Sequence, residues 1–386
     1  MRVGTSHLTY CTNIHPGESW AEVRANVERH VVDVKAQLAP SEPFGVGLRL
    51  SARAAVELAE PRELAAFRRF LDEHGLYVFT INGFPYGTFH GAPVKEQVYR
   101  PDWTEPERVA YTNRLADVLA ALLPDGVDGS ISTVPGCFRA RGGAAAEAAI
   151  AANLARCAAN LAAVEARTGA RIALALEPEP RCSIETLAEA AAFFAAHVRD
   201  RDRLAVCLDA CHAAVEFEHL PSALAELRAA GVAVAKVQLS AGLRLTPGPA
   251  ERAALTRYAD EVYLHQVVAR RGDRLERYVD LPEALAEASA DDADDEWRVH
   301  FHVPIFRDDL GPFASTQPFL AELLALHRAS PIAPHLEVET YTWDVLPPEL
   351  RDGIARLGSS ADGSSGPSPV ATAVARELRW VLERLR

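Results

Sequence analysis

Short apolar runs that end in a carboxylate recur along this chain. They restrict it to folds that bury parallel strands and gather the strand ends in one place. Leu204-Ala-Val-Cys-Leu-Asp209 is one such run, and His212 follows three residues later. Arg171-Ile-Ala-Leu-Ala-Leu-Glu177 is a second, with Glu179 two residues beyond. His335-Leu-Glu-Val-Glu339 is a third. Val299-His-Phe-His302 ends in an imidazole, and Val234-Ala-Lys-Val-Gln238-Leu-Ser240 ends in an amide and a hydroxyl. An unbroken apolar run of this length reads as a strand covered on both faces. In βα-repeat proteins the carboxyl ends of such strands carry the chemistry. Buried carboxylates are costly unless paired or bound to metal, so several at successive strand ends point to one shared polar site. Taken alone, Asp209 has a second reading, as the cap of a following helix with His212 on the surface.

Strand-like runs at 2–6, 45–50, 76–82, 129–134, 171–177, 204–209, 232–239, 298–303 and 335–340 alternate with helical segments. The helical segments include 52–74, 105–123, 144–168, 184–198 and 221–230. This alternation implies a parallel sheet. Its number of units closes most naturally as a (β/α)8 barrel, an α/β fold. A doubly wound open sheet is the alternative, but no G-x-G-x-x-G follows the first strand, which disfavours a dinucleotide-binding sheet. There are more strand candidates than a barrel needs, Val262–Val268 among them. The stretch 241–297 is therefore expected to carry an insertion, a hairpin or lid near the site. The loops Asn82–His90 and Thr133–Phe138 hold Gly, Pro and aromatic residues that suit either a pocket wall or plain turns. The expected organisation is a barrel domain over 1–357, a flexible Gly/Ser linker over 358–368 and a C-terminal helix over 369–386. The apolar stripe Val370, Val374, Leu378, Val381 and Leu385 should dock that helix on the barrel or on another subunit.

The formal net charge of −13 argues against nucleic acid as a partner. The dense acidic run Asp291–Glu296 reads as a solvated loop. No long uncharged apolar span predicts a membrane helix, and the first residues read as a strand rather than a signal peptide. The six cysteines form no C-x-x-C pair, which suits reduced thiols and a cytoplasmic protein. Cys211, between Asp209 and His212, reads as a small packing residue.

Strand-end Glu177, then Asp209 with His212, then strand-end Glu339, resembles the xylose isomerase-like TIM barrels, which include sugar and sugar-phosphate isomerases and epimerases. The resemblance covers roughly residues 1–350. The stretches His300-Phe-His302-Val-Pro-Ile-Phe and Glu337-Val-Glu339-Thr-Tyr-Thr-Trp343 are similar to a narrower group, the metabolite traffic proteins called EboE, which act beside a membrane protein. The broader resemblance implies one divalent metal held by a Glu, an Asp, a His and a second Glu. Glu177 and Asp209 match the first two, and Glu339 the last, with Glu337 in reserve. At the third position this chain departs from the pattern, because Gln238 stands where the family has His; the third ligand is then either Gln238, more weakly through its side-chain carbonyl, or His302, which can supply the missing imidazole. His212 matches a substrate-binding position, and Arg307 and His265 are further expected substrate contacts.

The resemblance thus implies a metal-dependent isomerase or epimerase for a sugar-like or polyol metabolite. Glu177 and Glu339 would carry the proton as well as the metal. Mn, Mg, Zn or Co are the candidate ions, the His ligand shifting the balance from Mg²⁺ toward the others. The alternative is a non-catalytic carrier that passes its metabolite to a membrane-protein partner. Self-association through outer helices is open in either case. A metal-dependent endonuclease, the weakest of the three, would need a basic surface and more His ligands.

Overall fold

A computed structural model describes residues 1–88, 94–259, 261–289, 294–347 and 368–386. Eight parallel strands build the centre: β1 (Ser6–Tyr10), β2 (Phe44–Arg49), β3 (Leu76–Asn82), β4 (Gly129–Thr133), β5 (Ile172–Leu176), β6 (Leu204–Asp209), β7 (Val234–Leu239) and β8 (His335–Val338). Neighbours pair in chain order from β2 to β8, and β8 returns to β1 with Leu336 opposite Leu8. A parallel bridge from Cys11 to Gly47 then brings β1 against β2 and nearly closes the sheet. The fold is thus the expected (β/α)8 barrel. The helices Pro106–Leu122, Ala144–Thr168, Leu187–His197 and Leu220–Ala229 fall within two to three residues of the segments read from periodicity.

Three strand assignments are corrected. The stretch 2–6 is not the first barrel strand. Arg2–Val3 folds back antiparallel onto Ser6–His7 through Gly4, whose φ of +58° only glycine adopts easily, and the barrel strand lies at 6–10. Residues 298–303 and 262–268 do not belong to the barrel either. Glu296–Val299 and Val267–Arg271 join Leu243–Leu245, Arg274–Tyr278 and Ala314–Ser315 in a separate five-stranded antiparallel sheet. Their apolar runs are real, but they bury against this second sheet, inserted between β7 and β8. The insertion is therefore larger than a hairpin. Part of the acidic run lies outside the described residues. Of the rest, Asp295 is not solvated: it is buried and bonds Arg271 at 2.9 Å. Residues 358–367 of the expected linker and His90 also lie outside the described residues.

Side chains alternate along each strand, and much of the inward set is polar or small, with Phe79 packed against His7 and His335, where barrel interiors are ordinarily filled by branched apolar residues. Lys236 on β7 meets Glu337 on β8 at 2.5 Å, with both side chains fully buried. Lys236 also donates to Ser132 on β4 at 3.2 Å. Below them, His335 and Thr80 each bond Ser130 at 2.8 Å. Ala175, Ala205 and Cys207 cluster on β5 and β6. Gly47 is required beside the ion pair, since a Cβ there would collide with the Glu337 carboxylate and the Tyr10 carbonyl.

The C-terminal helix, Pro369–Leu385, packs on the barrel, beside helices Val32–Leu38 and Gln317–Ala329. Val374, Leu378 and Val381 of the expected stripe are buried there. So is Glu377, whose Oε1 accepts from the Thr340 hydroxyl (2.7 Å) and the Ile305 amide (3.2 Å). Burial pushes its carboxyl up to about 8. Unfolded, the group titrates near 4.5; between these values the folded protein holds the extra proton, so wild-type stability falls as pH rises through that range. Glu377→Gln keeps the acceptor and removes the titration. Relative to wild type, its melting temperature should be nearly unchanged at about pH 5 and higher at about pH 9. Glu377→Leu should instead be destabilised at about pH 5, by about 1–3 kcal/mol for each stranded donor, and that deficit should narrow toward pH 9, because leucine removes the titration as well. Parallel thermal melts of the three proteins check this.

Candidate active site

At the carboxyl ends of the strands the inward side chains become Asn82, Glu177, Asp209 and Glu339. Glu177 leaves β5 with its amide bonded to the Thr133 carbonyl at 3.0 Å. Asp209 ends β6 and serves both readings of its sequence. Its Oδ1 caps the helix Ala210–Val215, accepting from the His212 amide and the Ser240 hydroxyl, each at 2.8 Å. Its Oδ2 is buried and has no hydrogen-bond partner among the described residues. Glu339 lies just past β8, where Asn13 donates to Oε1 at 2.5 Å and Asn82 approaches at 3.5 Å. Carboxylate oxygens of Glu177, Asp209 and Glu339 lie within 4.8 Å of one another. Burial first, then the neighbouring carboxylates, raises the carboxyls of Glu177 and Glu339, the latter to about 8. Lys236 below opposes this shift in both.

The insertion brings imidazoles over this cluster. His302 donates from Nδ1 to the Glu339 carbonyl at 2.8 Å, so its Nε2 carries a lone pair. That Nε2 is buried and without a hydrogen-bond partner among the described residues. It lies within 4.8 Å of ligand atoms of Asp209 and His212. Burial lowers His302 to about 4, so the ring is neutral at ordinary pH and able to ligate. Two orphaned buried atoms, Asp209 Oδ2 and His302 Nε2, together with three crowded carboxylates, fit a divalent cation.

A cavity of about 60 Å³ opens beside these groups, lined by Glu177, Glu179, His212, His300, His302 and Glu339 on its polar side. Its apolar side includes Phe84, Val98, Leu264 and Tyr341. Asn82, Phe84 and Pro85 of one loop and Thr133 and Val134 of the other line it; the remaining described residues of those loops do not.

Several sequence-predicted residues lie elsewhere. Gln238 sits inside the barrel, in register with Asp209 and Glu337, fully buried and, like Asp209, outside the cavity lining; both its amide atoms are without a hydrogen-bond partner among the described residues. Glu337 is tied to Lys236 one layer lower. His265 is buried with Nδ1 donating to the His300 carbonyl at 3.1 Å, and the cavity lining includes neither it nor the half-exposed Arg307. All six cysteines are free and buried. The Cys211 side chain packs with Val215 and Val268, and burial keeps its thiol protonated. Sequence reasoning gives no role to Asn13, Tyr99 or Glu179. A correct placement of β1 would have put Asn13 just beyond a strand end, and Glu179 follows Glu177 at the spacing of one strand face. Tyr99 carries no such signal.

A search of curated proteins finds no match to the chain. Among solved structures, the chain is similar to a xylose isomerase-like TIM barrel protein from Mycobacterium smegmatis in complex with magnesium, at 12% identity and a TM-score of 0.53, covering 99% of this chain and 97% of that one. It is similar to an L-ribulose 3-epimerase at 13% identity and a TM-score of 0.50, covering 99% and 96%. It is also similar to the probable 3-DHS dehydratase AsbF of Bacillus anthracis at 12% identity and a TM-score of 0.50, covering 97% of each. At these identities the likeness is one of fold. The sequence model described as xylose isomerase-like TIM barrel matches residues 45–285. With the barrel and its strand-end carboxylates, that match over more than half the chain shows that the protein belongs to the xylose isomerase-like TIM barrel family.

Proposed function

We propose that the cavity is the active site of a divalent-metal-dependent isomerase or epimerase for a small sugar-like or polyol metabolite. The observation that carries this reading is the convergence of Glu177, Asp209 and Glu339 within 4.8 Å, with Asp209 Oδ2 and His302 Nε2 left without partners among the described residues. Glu177, Asp209, Glu339 and His302 would hold the cation. When bound, it would polarise adjacent oxygens of the substrate and acidify the C–H beside its carbonyl. Glu177 and Glu339 directly follow β5 and β8, with β6 and β7 between them, so they can address a small molecule from different sides. One takes the proton and the other returns it. Asn13 fixes the Glu339 carboxylate, and the apolar wall keeps bulk water from the carbanion-like centre. The fold is shared with an L-ribulose 3-epimerase, which accords with a polyhydroxylated substrate.

A carrier is the second reading, favoured by Gln238 at the position where the resemblance implies an imidazole. In it the cavity holds a metabolite without turnover and passes it to a membrane protein, as the likeness to the EboE group suggests. None of the described helices is long and apolar enough to cross a membrane itself. In either reading we place the protein in the cytoplasm.

Elemental analysis of the purified protein beside Asp209→Ala is the first test. About one equivalent or more of Mn, Zn, Co or Fe, reduced in the variant, supports the site; for weakly held Mg²⁺ the readout is a melting shift on adding metal, about 2.7 kcal/mol at a hundredfold excess over Kd. No metal and no shift would remove this mechanism. If metal binds, a panel of ketoses and sugar phosphates separates enzyme from carrier. Turnover should fall at least about 100-fold in Glu177→Gln and Glu339→Gln, the scale of a lost acid/base group. A carrier would show ligand-induced stabilisation and no turnover.

The carboxylates also predict a pH dependence. In the metal-free protein Glu339 holds its proton up to about pH 8, against 4.5 for the ordinary carboxyl. The folded state binds more protons across that window, so metal-free stability falls as pH rises through it and levels above. A cation displaces this proton. The melting shift caused by Mn²⁺ should therefore grow from about pH 6 to about pH 8.5. A shift that stays flat over that range would contradict the assignment of Glu339 as a ligand.

A further inference from the structure

The cavity at the strand ends has two unlike sides. One holds carboxylates and imidazoles. The other is a hydrophobic cluster separate from the main core, in which Tyr263 and Tyr341 pack with Val94 and Val98. Phe84, Pro85, Val134 and Leu264 extend that apolar surface. Its rings are ordered: Tyr341 meets Tyr263 edge-on at 5.3 Å between centroids, and Phe84 stacks on Tyr99 at 5.7 Å with 27° between the planes. The Tyr99 hydroxyl is already used, accepting from Gln266 at 2.9 Å and donating to Glu179 at 2.6 Å.

Among the described residues, neither Lys nor Arg lines the cavity. The cations of the surrounding loops are engaged elsewhere. Lys95 follows Val94 in the chain, but its Nζ donates to the Tyr263 carbonyl and to Asp280, each at 2.7 Å. Arg108 is buried with Nη1 on the Gly83 carbonyl at 2.8 Å and Nε on the Pro101 carbonyl at 2.7 Å. Arg49 donates to the carbonyls of Gly17 and Gly87, each at 2.8 Å. Barrels of this architecture frequently bind phosphate at the loops after their last two strands. Here the Gly242 amide after β7 donates to Thr316 Oγ1 at 2.8 Å, and the Thr340 hydroxyl after β8 donates to Glu377 at 2.7 Å. Those donors are taken by the chain's own groups. A phosphate dianion in the cavity would meet Glu177, Glu179 and Glu339, and the charge of a bound dication would already be matched by the carboxylates that hold it.

We infer that the cavity takes an uncharged α-hydroxycarbonyl compound whose far end is a flat apolar ring, and that it excludes phosphorylated sugars. The two oxygens meet the carboxylate side, and the ring lies between Phe84 and Tyr341 with Val98 and Leu264 against its edges. Aromatic walls favour such a ring through offset and edge-on contacts beyond the area it buries. The far hydroxyls of a sugar would give up water beside valine, leucine and phenylalanine side chains, which offer no hydrogen bond in return. Selectivity thus comes as much from what the apolar side refuses as from what it holds. The inference narrows the proposed function and rests on it for which end of the ligand meets the strand ends.

The test is calorimetric titration of the full-length protein, with and without Mn²⁺, against three probes: phenacyl alcohol, hydroxyacetone and dihydroxyacetone phosphate. The first two share the hydroxyketone and differ by the ring; the third adds the phosphate. Phenacyl alcohol should bind at least about 10-fold more tightly than hydroxyacetone, and dihydroxyacetone phosphate no more tightly than hydroxyacetone. Val98→Ala should weaken phenacyl alcohol by about 3–10-fold and leave the phosphate probe unchanged. Val98→Lys, at a half-buried position where the new ammonium can reach water, should weaken phenacyl alcohol and strengthen dihydroxyacetone phosphate by about 10-fold. Circular dichroism checks that both variants fold, and the wild-type comparison needs neither. The inference is overturned if wild type binds the phosphate probe more tightly than hydroxyacetone, or if phenacyl alcohol has no lead over hydroxyacetone, the absence of any binding included. The two readings fail separately. Bound metal without the lead of the ring compound removes this inference alone, whereas that lead in a protein that binds no metal removes the metal-dependent mechanism and keeps the ring pocket.

Discussion

Like charge packed into a nearly closed barrel is the constraint on which this structure turns. Glu177, Asp209, Glu337 and Glu339 point inward from three of the eight strands, within a space where ionised groups lose most of their hydration. The Lys236 ammonium meets one of them directly and offsets the field felt by two others. Although burial works against its charge, the Glu337 carboxylate holds Lys236 above the ordinary lysine range. Breaking that pair would strand a buried charge, at about 3–5 kcal/mol. The upper carboxylates are left to find protons or a cation. Their raised pKa values and the candidate metal site are two consequences of the same crowding.

The insertion answers a gap in the barrel. On β7 the inward residue level with Asp209 is Gln238, an amide buried in the barrel where an imidazole would offer a stronger ligand. The imidazoles come instead from a strand of a second sheet, which ends at Val299 and lets His300 and His302 extend over the strand ends. The backbone holds them there: the His300 amide bonds the Gln266 carbonyl at 2.8 Å and the Thr342 hydroxyl bonds the His302 carbonyl at 2.5 Å. The C-terminal helix supports the same region from outside, through Glu377 to Thr340 and Ile305. The imidazoles of His300 and His302 are thus supplied by elements that are not part of the barrel sheet.

Much of the site was legible because strand ends are marked in sequence. An apolar run followed by a carboxylate needs no neighbours to be recognised, and Glu177, Asp209 and Glu339 were found that way. The first strand was misplaced because Arg2–Val3 and Ser6–Tyr10 are both strand-like, and only pairing tells which enters the barrel. The runs at 262–268 and 298–303 carry the composition of barrel strands because they are buried to the same degree in another sheet. Arg307 and His265 lie near site residues in sequence but are not among the residues lining the cavity, since backbone direction after a strand end is not encoded in residue type.

The sequence by itself determined the βα alternation, the barrel and the carboxylates that crown it, because burial on both faces of a parallel strand leaves an unbroken apolar signature and only its polar end is variable. The tertiary structure decided which imidazole stands beside Asp209, that Asp209 can cap a helix with one oxygen and face the site with the other, and that His212 and His300 meet nitrogen to nitrogen. Those facts depend on distances between segments 88 residues apart in the chain, as His212 and His300 are. No local pattern carries such distances; they depend on how the second sheet packs over the mouth of the first.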